Sequence, residues 1–182
     1  MHKGKLVLLS AEAAAVIDPL CRDALSRAED GELGPEAAAI LRHLKSAGPR
    51  TADDVKNELG AEAKAFRSAR EKLERGGALV SRPVVTSGEG LARSGRATIK
   101  GFEGHRHTST LARWDQSFTQ RRKAPLERAL DDLILLGIRA AVVVQEDEPL
   151  GWFTWEVPRD TVRRLLAAGK LVRPAAGWVG VA

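Results

Sequence analysis

A mainly α fold of the α+β class is what this 182-residue sequence predicts, and three observations lead there. Hydrophobic residues make up 43% and charged residues 29%, the balance of a globular chain rather than a disordered one. Aromatics are scarce, with four Trp, four Phe and no Tyr, so a core of Ala, Leu and Val favours helices over a β-sandwich. The third observation is a run of three short helical patterns followed by a strand, which returns in compressed form later in the chain. That is the outline of tandem winged helix-turn-helix modules with small β-hairpin wings.

The first helix is expected over "SAEAAAVIDPLCRDALSRAE", opened by Ser10 and Glu12, with Pro19 kinking or dividing it. "DGELGPE" breaks the chain, and Pro35 suits the first turn of the next helix. In "PEAAAILRHLKSAG", Ala37, Ile40, Leu41 and Leu44 recur at helical spacing up to Gly48. In "PRTADDVKNELG", Thr51 is an N-cap, Asp53 and Asp54 occupy the electropositive first turn, and Gly60 is the stop. "AEAKAFRSAREKLERGG" sets Phe66, Ala69 and Leu73 on one face and ends in a glycine pair, after which "ALVSRPVV" reads as a strand.

The Gly-, Ser- and Arg-rich "SGEGLARSGRATIKGFEG" reads as a long hairpin tip, and the stretch that follows supplies the returning strand. With period two, His105, His107, Ser109 and Leu111 share one face, while Arg106, Thr108, Thr110 and Ala112 share the other. Further on, "PLERALDDLILLGIRAAVVV" is helical, with Gly137 a candidate break, and "EPLGWFTW" reads as a short helix. "PRDTVRRLLAAGK" turns Val162, Leu165 and Leu166 inward, and "LVRPAAGWVGV" closes as a small hairpin. "REKLERGGALVSRP" and "VRRLLAAGKLVRP" form a weak internal repeat. The expected organisation is an N-terminal helical segment over 1–34, a first winged-helix module with a basic wing over 35–120, and a second, smaller module over 121–182.

The net charge is +5 and the pI about 9.7, a balance that attracts polyanions. The charge is local: Leu91 to Arg128 holds nine Lys or Arg against three Asp or Glu, a surplus of six that exceeds the net charge of the chain. The single cysteine, Cys21, excludes an internal disulfide and suits a buried small side chain in a reducing compartment. Glu12 interrupts the N-terminal apolar run, and no span approaches the ~20 residues a bilayer needs, so the cytoplasm is expected and a membrane is not.

In a helix-turn-helix the last helix before the wing enters the major groove, and the wing touches flanking phosphates. That helix offers Lys64, Arg67, Ser68 and Lys72 to double-stranded DNA, with Arg70 and Arg75 to either side, and the wing offers Arg93, Arg96, Lys100, His105, Arg106 and His107. The plainer alternative is a solvated helix whose bases pair with Glu71 and Glu74. His105 and His107 do not make a metal site, because zinc asks for three or four ligands, and His2, His43 and Cys21 are scattered over other elements. No metal and no cofactor are expected. Asp115 is the nearest carboxylate for acid–base work, with nothing to aim it at the histidines. "GWFTW" could stack on bases, but Trp152, Phe153 and Trp155 fit better as core between the modules.

"TLARWDQSF", "LERALDDLILLGIRAAVVV" and "VRRLLAAGKLVR", in that order, resemble the winged-helix proteins related to the AlkZ/YcaQ DNA glycosylases, their short relatives in particular. The resemblance covers Pro35 to the C-terminus. It implies tandem winged helices on duplex DNA and, in the full-length enzymes, release of alkylated or crosslinked bases. Those enzymes use a Gln-x-Gln or Gln-x-Asp pair near the N-terminus, whereas no glutamine precedes Gln116 here and Gln145-Glu146-Asp147 sits in the second module. No catalytic residue is therefore carried over. The expectation is a double-stranded DNA-binding protein without catalysis, a transcription regulator or a repair accessory. Three alternatives stand beside it: a compact glycosylase, a protein-interaction module that includes a homodimer, and a regulator with a ligand pocket near Trp152 and Trp155.

Overall fold

The computed structural model of the chain describes residues 10–86 and 106–182. Among them are seven α-helices and two three-stranded antiparallel sheets.

The first helix, α1 (Ala11–Glu29), opens as its sequence dictates, with Ser10 Oγ accepting the Ala13 N–H at 3.1 Å. It runs unbroken through Pro19, so of the kink or division expected there, the division does not occur. Proline removes one helical hydrogen bond, but Ile17, Pro19, Leu20 and Cys21 are all buried, and that packing holds the turn in place.

After α1 come α2 (Pro35–Ala47), the two-residue strand β1 (Arg50–Thr51), α3 (Ala52–Glu58), α4 (Ala63–Gly76), β2 (Leu79–Thr86), β3 (Arg106–Arg113) and the short α5 (Trp114–Ser117). Thr51 caps α3 as expected, accepting the Asp54 N–H. The sheet order is β1-β3-β2, and β2 pairs with β3 from Leu79↔Arg113 to Thr86↔Arg106. Ile40, Leu41, Leu44, Val55, Phe66, Leu73, Leu79 and Leu111 fill the core between helices and sheet.

A second unit repeats this order in miniature. It comprises α6 (Leu126–Ala141), β4 (Val143–Gln145), a 3-10 turn (Glu148–Gly151), α7 (Thr161–Ala167), β5 (Leu171–Ala175) and β6 (Trp178–Val181). Its sheet order, β4-β6-β5, again places the last strand in the middle. The match extends to register. Leu79 faces Arg113 and Leu171 faces Val181. Beyond those pairs the Trp114 N–H donates to Ala78 O, and the Ala182 N–H donates to Lys170 O. The weak repeat seen in the sequence is thus a repeat of backbone geometry.

Three expectations change in this unit. Gly137 does not break α6. It is where the Trp152 ring packs, since a Cβ there would lie 2.8 Å from Cζ3. "EPLGWFTW" is only a 3-10 turn followed by bends. The helix also stops one turn sooner, at Ala141, where Val142 turns to a positive φ of 71° and releases β4.

α1 joins the two units. Leu25 and Ala28 near its end belong to the first core, while Ala14, Ile17, Leu20 and Cys21 pack with Trp114, Ala129 and Leu133. Phe153 and Trp155 lie against this junction and Trp152 against the second core, so the aromatic run is core, as expected. The junction has a polar hub in Asp18, 1% exposed. Its carboxylate accepts from Arg22 Nε at 2.9 and 3.0 Å, from Trp114 Nε1 at 2.7 Å and from the Arg122 N–H at 2.9 Å. No helix among the described residues is long and apolar enough to cross a membrane.

Candidate nucleic-acid interface

α4 owes its position to one apolar stripe. Phe66, Ala69 and Leu73 are buried, and Gly77 ends the helix in the left-handed conformation at φ 81°. Only glycine fits there: a Cβ at 77 would lie 2.6 Å from Cys21 Sγ and 3.3 Å from the Trp155 ring. Burial also pushes the Cys21 thiol far up, so it stays protonated and serves as packing.

With one face fixed, the other must point outward, and Lys64, Arg67, Ser68, Glu71, Lys72 and Arg75 are all exposed on it. Four cations and one carboxylate make this a basic face with a single acidic interruption. At the helix start, Glu62 accepts the Lys64 and Ala65 N–H groups at 2.8 Å each, and these two bonds hold its carboxyl below the ordinary range. That cap occupies the positive helix end, so the start of α4 presents side chains rather than free backbone donors.

Arg70 behaves differently from its neighbours. It is half-buried, its Nε bonds Glu74 at 2.7 Å and its guanidinium reaches Ser81 Oγ at 3.3 Å. Ser81 in turn donates to Glu74. This cluster clamps α4 to β2, which makes Arg70 a brace for the face rather than part of it. Lys64, Arg67, Ser68 and Lys72 are thus brought together on one surface, with Arg70 at its edge.

On the β2–β3 hairpin, Arg106 and His107 take the first two positions of β3, opposite Thr86 and Val85. Arg93, Arg96, Lys100 and His105 lie outside the described residues. The local charge surplus is smaller than a count suggests, because two of its arginines are neutralised internally. Arg113, 4% exposed, bonds Asp115 at 2.9 and 3.0 Å and Glu29 at 2.6 Å. Those bonds hold the Asp115 and Glu29 carboxyls below their usual range. Asp115 therefore serves Arg113. Arg122 pairs with Asp132 at 2.5 Å. Arg121 and Lys123 remain exposed.

In the second unit, α7 corresponds to α4 when the two are aligned on Leu171 and Leu79. Arg159 and Arg163 are exposed there, but Arg164, in the place of Lys72, is engaged by Asp131 at 2.7 and 2.9 Å and by Glu127 at 3.3 Å. Glu146 of the Gln-x-Asp triplet is held by Arg173 at 2.5 and 3.1 Å, which keeps its carboxyl low. His43 Nε2 lies 2.7 Å from Glu58, and no cluster of potential metal ligands occurs among the described residues.

Comparison with protein-family models, curated proteins and solved structures found no match to this chain.

Proposed function

We propose that the chain is a tandem winged-helix protein that binds double-stranded DNA through α4 and the wing formed by β2 and β3. The observation that carries this reading is the split of α4 into an apolar stripe and a solvent-facing set of Lys64, Arg67, Lys72 and Arg75, on the last helix before a long hairpin. In a winged helix, that helix meets the major groove and the hairpin meets flanking phosphates. Phosphate contacts supply most of the affinity, and arginine at position 67 is suited to a guanine edge. The second unit is tuned down for the same task, with Arg164 spent on Asp131. The reading agrees with a short, non-catalytic relative of the AlkZ/YcaQ group, a regulator or repair accessory.

A direct test is an iron chelate tethered at Ser68→Cys, with the wild type and its buried Cys21 as the unlabelled control. Strand cleavage of a bound duplex from position 68 is expected. Absence of cleavage at a protein concentration that saturates the duplex contradicts the reading.

A second reading, a protein-interaction module, is favoured by one feature. Val143, Val172 and Trp178 are exposed on the second sheet, at 38%, 47% and 41%. It would prevail if no duplex bound at low salt while the mass in solution rose with concentration.

A further inference from the structure

We infer that a cavity behind α4 binds a small aromatic carboxylate, and that this ligand competes with DNA for Lys72. The cavity holds about 630 Å³, within the roughly 300–1,000 Å³ usual for small-molecule sites. It lies between α1, the last turn of α4 and the segment that follows the 3-10 turn. Leu20, Ala24, Leu33, Phe153 and Trp155 form its apolar wall. Two aromatic side chains in one wall suit a flat ring system.

The rim is charged, and its pairing decides the sign of the ligand. Arg27 is satisfied by Glu32 at 2.7 Å and approached by Asp23 at 3.8 Å, which accounts for both acids as well. Arg75 and Glu156 add one charge of each sign to the rim. Lys72 lines the same cavity and makes no ion pair or hydrogen bond among the described residues. One unengaged ammonium beside an apolar wall is the recognition pattern for a ring bearing a single carboxylate. No covalent step is involved.

The position couples this site to α4. Thr154 Oγ1 donates to Arg75 O at 2.6 Å, so the cavity wall is fastened to the end of the helix. A carboxylate on Lys72 withdraws that ammonium from phosphate. This regulatory half rests on α4 being the duplex-binding helix; the binding half does not.

The test uses 2-naphthoate on the full-length protein without DNA, followed by calorimetry and tryptophan quenching. Saturable one-to-one binding is expected, weakened about tenfold or more in Lys72→Gln, where a charge-assisted bond is lost. Ala24→Leu, which fills the cavity, should abolish binding while its thermal melt stays cooperative. No saturable binding, or binding indifferent to both substitutions, overturns the site. In a second arm, saturating 2-naphthoate should weaken duplex binding by wild type as much as Lys72→Gln does alone, and leave Lys72→Gln unchanged. A duplex affinity that ignores the ligand overturns the competition. A protein that binds no duplex at all refutes the DNA reading and leaves the first arm as the test of the site.

Discussion

Replacing Asp18 tests how the two units are joined. The carboxylate is 1% exposed and receives donors from three places: Arg22 on its own helix, the Trp114 indole, and the backbone of Arg122 in the linker. In Asp18→Ala, the buried Trp114 N–H is left without an acceptor, at a cost of roughly 1–3 kcal/mol. The Arg122 N–H, only part-buried, adds about 1 kcal/mol. Arg22 loses its partner too, but its side chain is 20% exposed and keeps a 2.7 Å bond to Phe118 O, so solvent and that carbonyl limit its share to about 1 kcal/mol. The total is roughly 3–5 kcal/mol, a large part of the ~5–15 kcal/mol that holds a typical domain. Asp18→Asn should cost less, about 1–2 kcal/mol. Its carbonyl can keep Trp114 and Arg22, and only the amide turned to the Arg122 N–H clashes. Urea unfolding followed by circular dichroism gives both values. The reasoning fails if Asp18→Ala lies within about 1 kcal/mol of wild type, or if Asn is as damaging as Ala.

The other predictions follow from packing and from titration. Gly77→Ala forces a Cβ into the left-handed region and to 2.6 Å from Cys21 Sγ, so a loss of about 2–4 kcal/mol is expected. Pairing it with Cys21→Ala should recover part of that loss, and strict additivity of the two would contradict the contact. Glu29 and Asp115 have folded pKa values held down by Arg113. Their contribution to stability is therefore fully present above the unfolded values near about 4 and is lost as pH falls through the folded ones. Urea midpoints measured from neutral pH to about 3.5 should drop at the acid end, and the drop should shrink in Arg113→Met; a flat wild-type profile would count against the linkage.

Much of the first unit could be read before any coordinates, because its signals are local. Ser10, Thr51 and Gly48 cap the helices they were expected to cap, and the period of Phe66, Ala69 and Leu73 aims α4. The two strands and the faces of β3 follow from alternation, which leaves their pairing register open. What escaped the sequence is non-local. Asp18 looks like an ordinary polar residue on α1, and its Trp114 and Arg122 partners lie 96 and 104 positions away. Arg113 looks like one more cation of the basic stretch until Glu29 closes on it from 84 positions off. β1 and β4 are too short to show a period, and the run Ala141 to Val144 suits a helix as well as a strand. No glycine marks the stop; Val142 takes the strained turn itself. The Arg70–Glu74 pair is legible in the i, i+4 spacing, whereas the Ser81 contact that fastens it to β2 is not, because Ser81 belongs to the next element.

The most direct measurement is the salt dependence of duplex binding, by fluorescence anisotropy, for wild type and for Arg67→Glu/Lys72→Glu. Wild-type affinity should fall steeply as salt rises. The double variant should bind at least roughly tenfold more weakly at low salt, with a log–log slope shallower by about two, one unit for each phosphate contact removed. Superimposable curves for the two proteins, or no binding by wild type even at low salt, would show that the exposed face of α4 is not a DNA-binding surface.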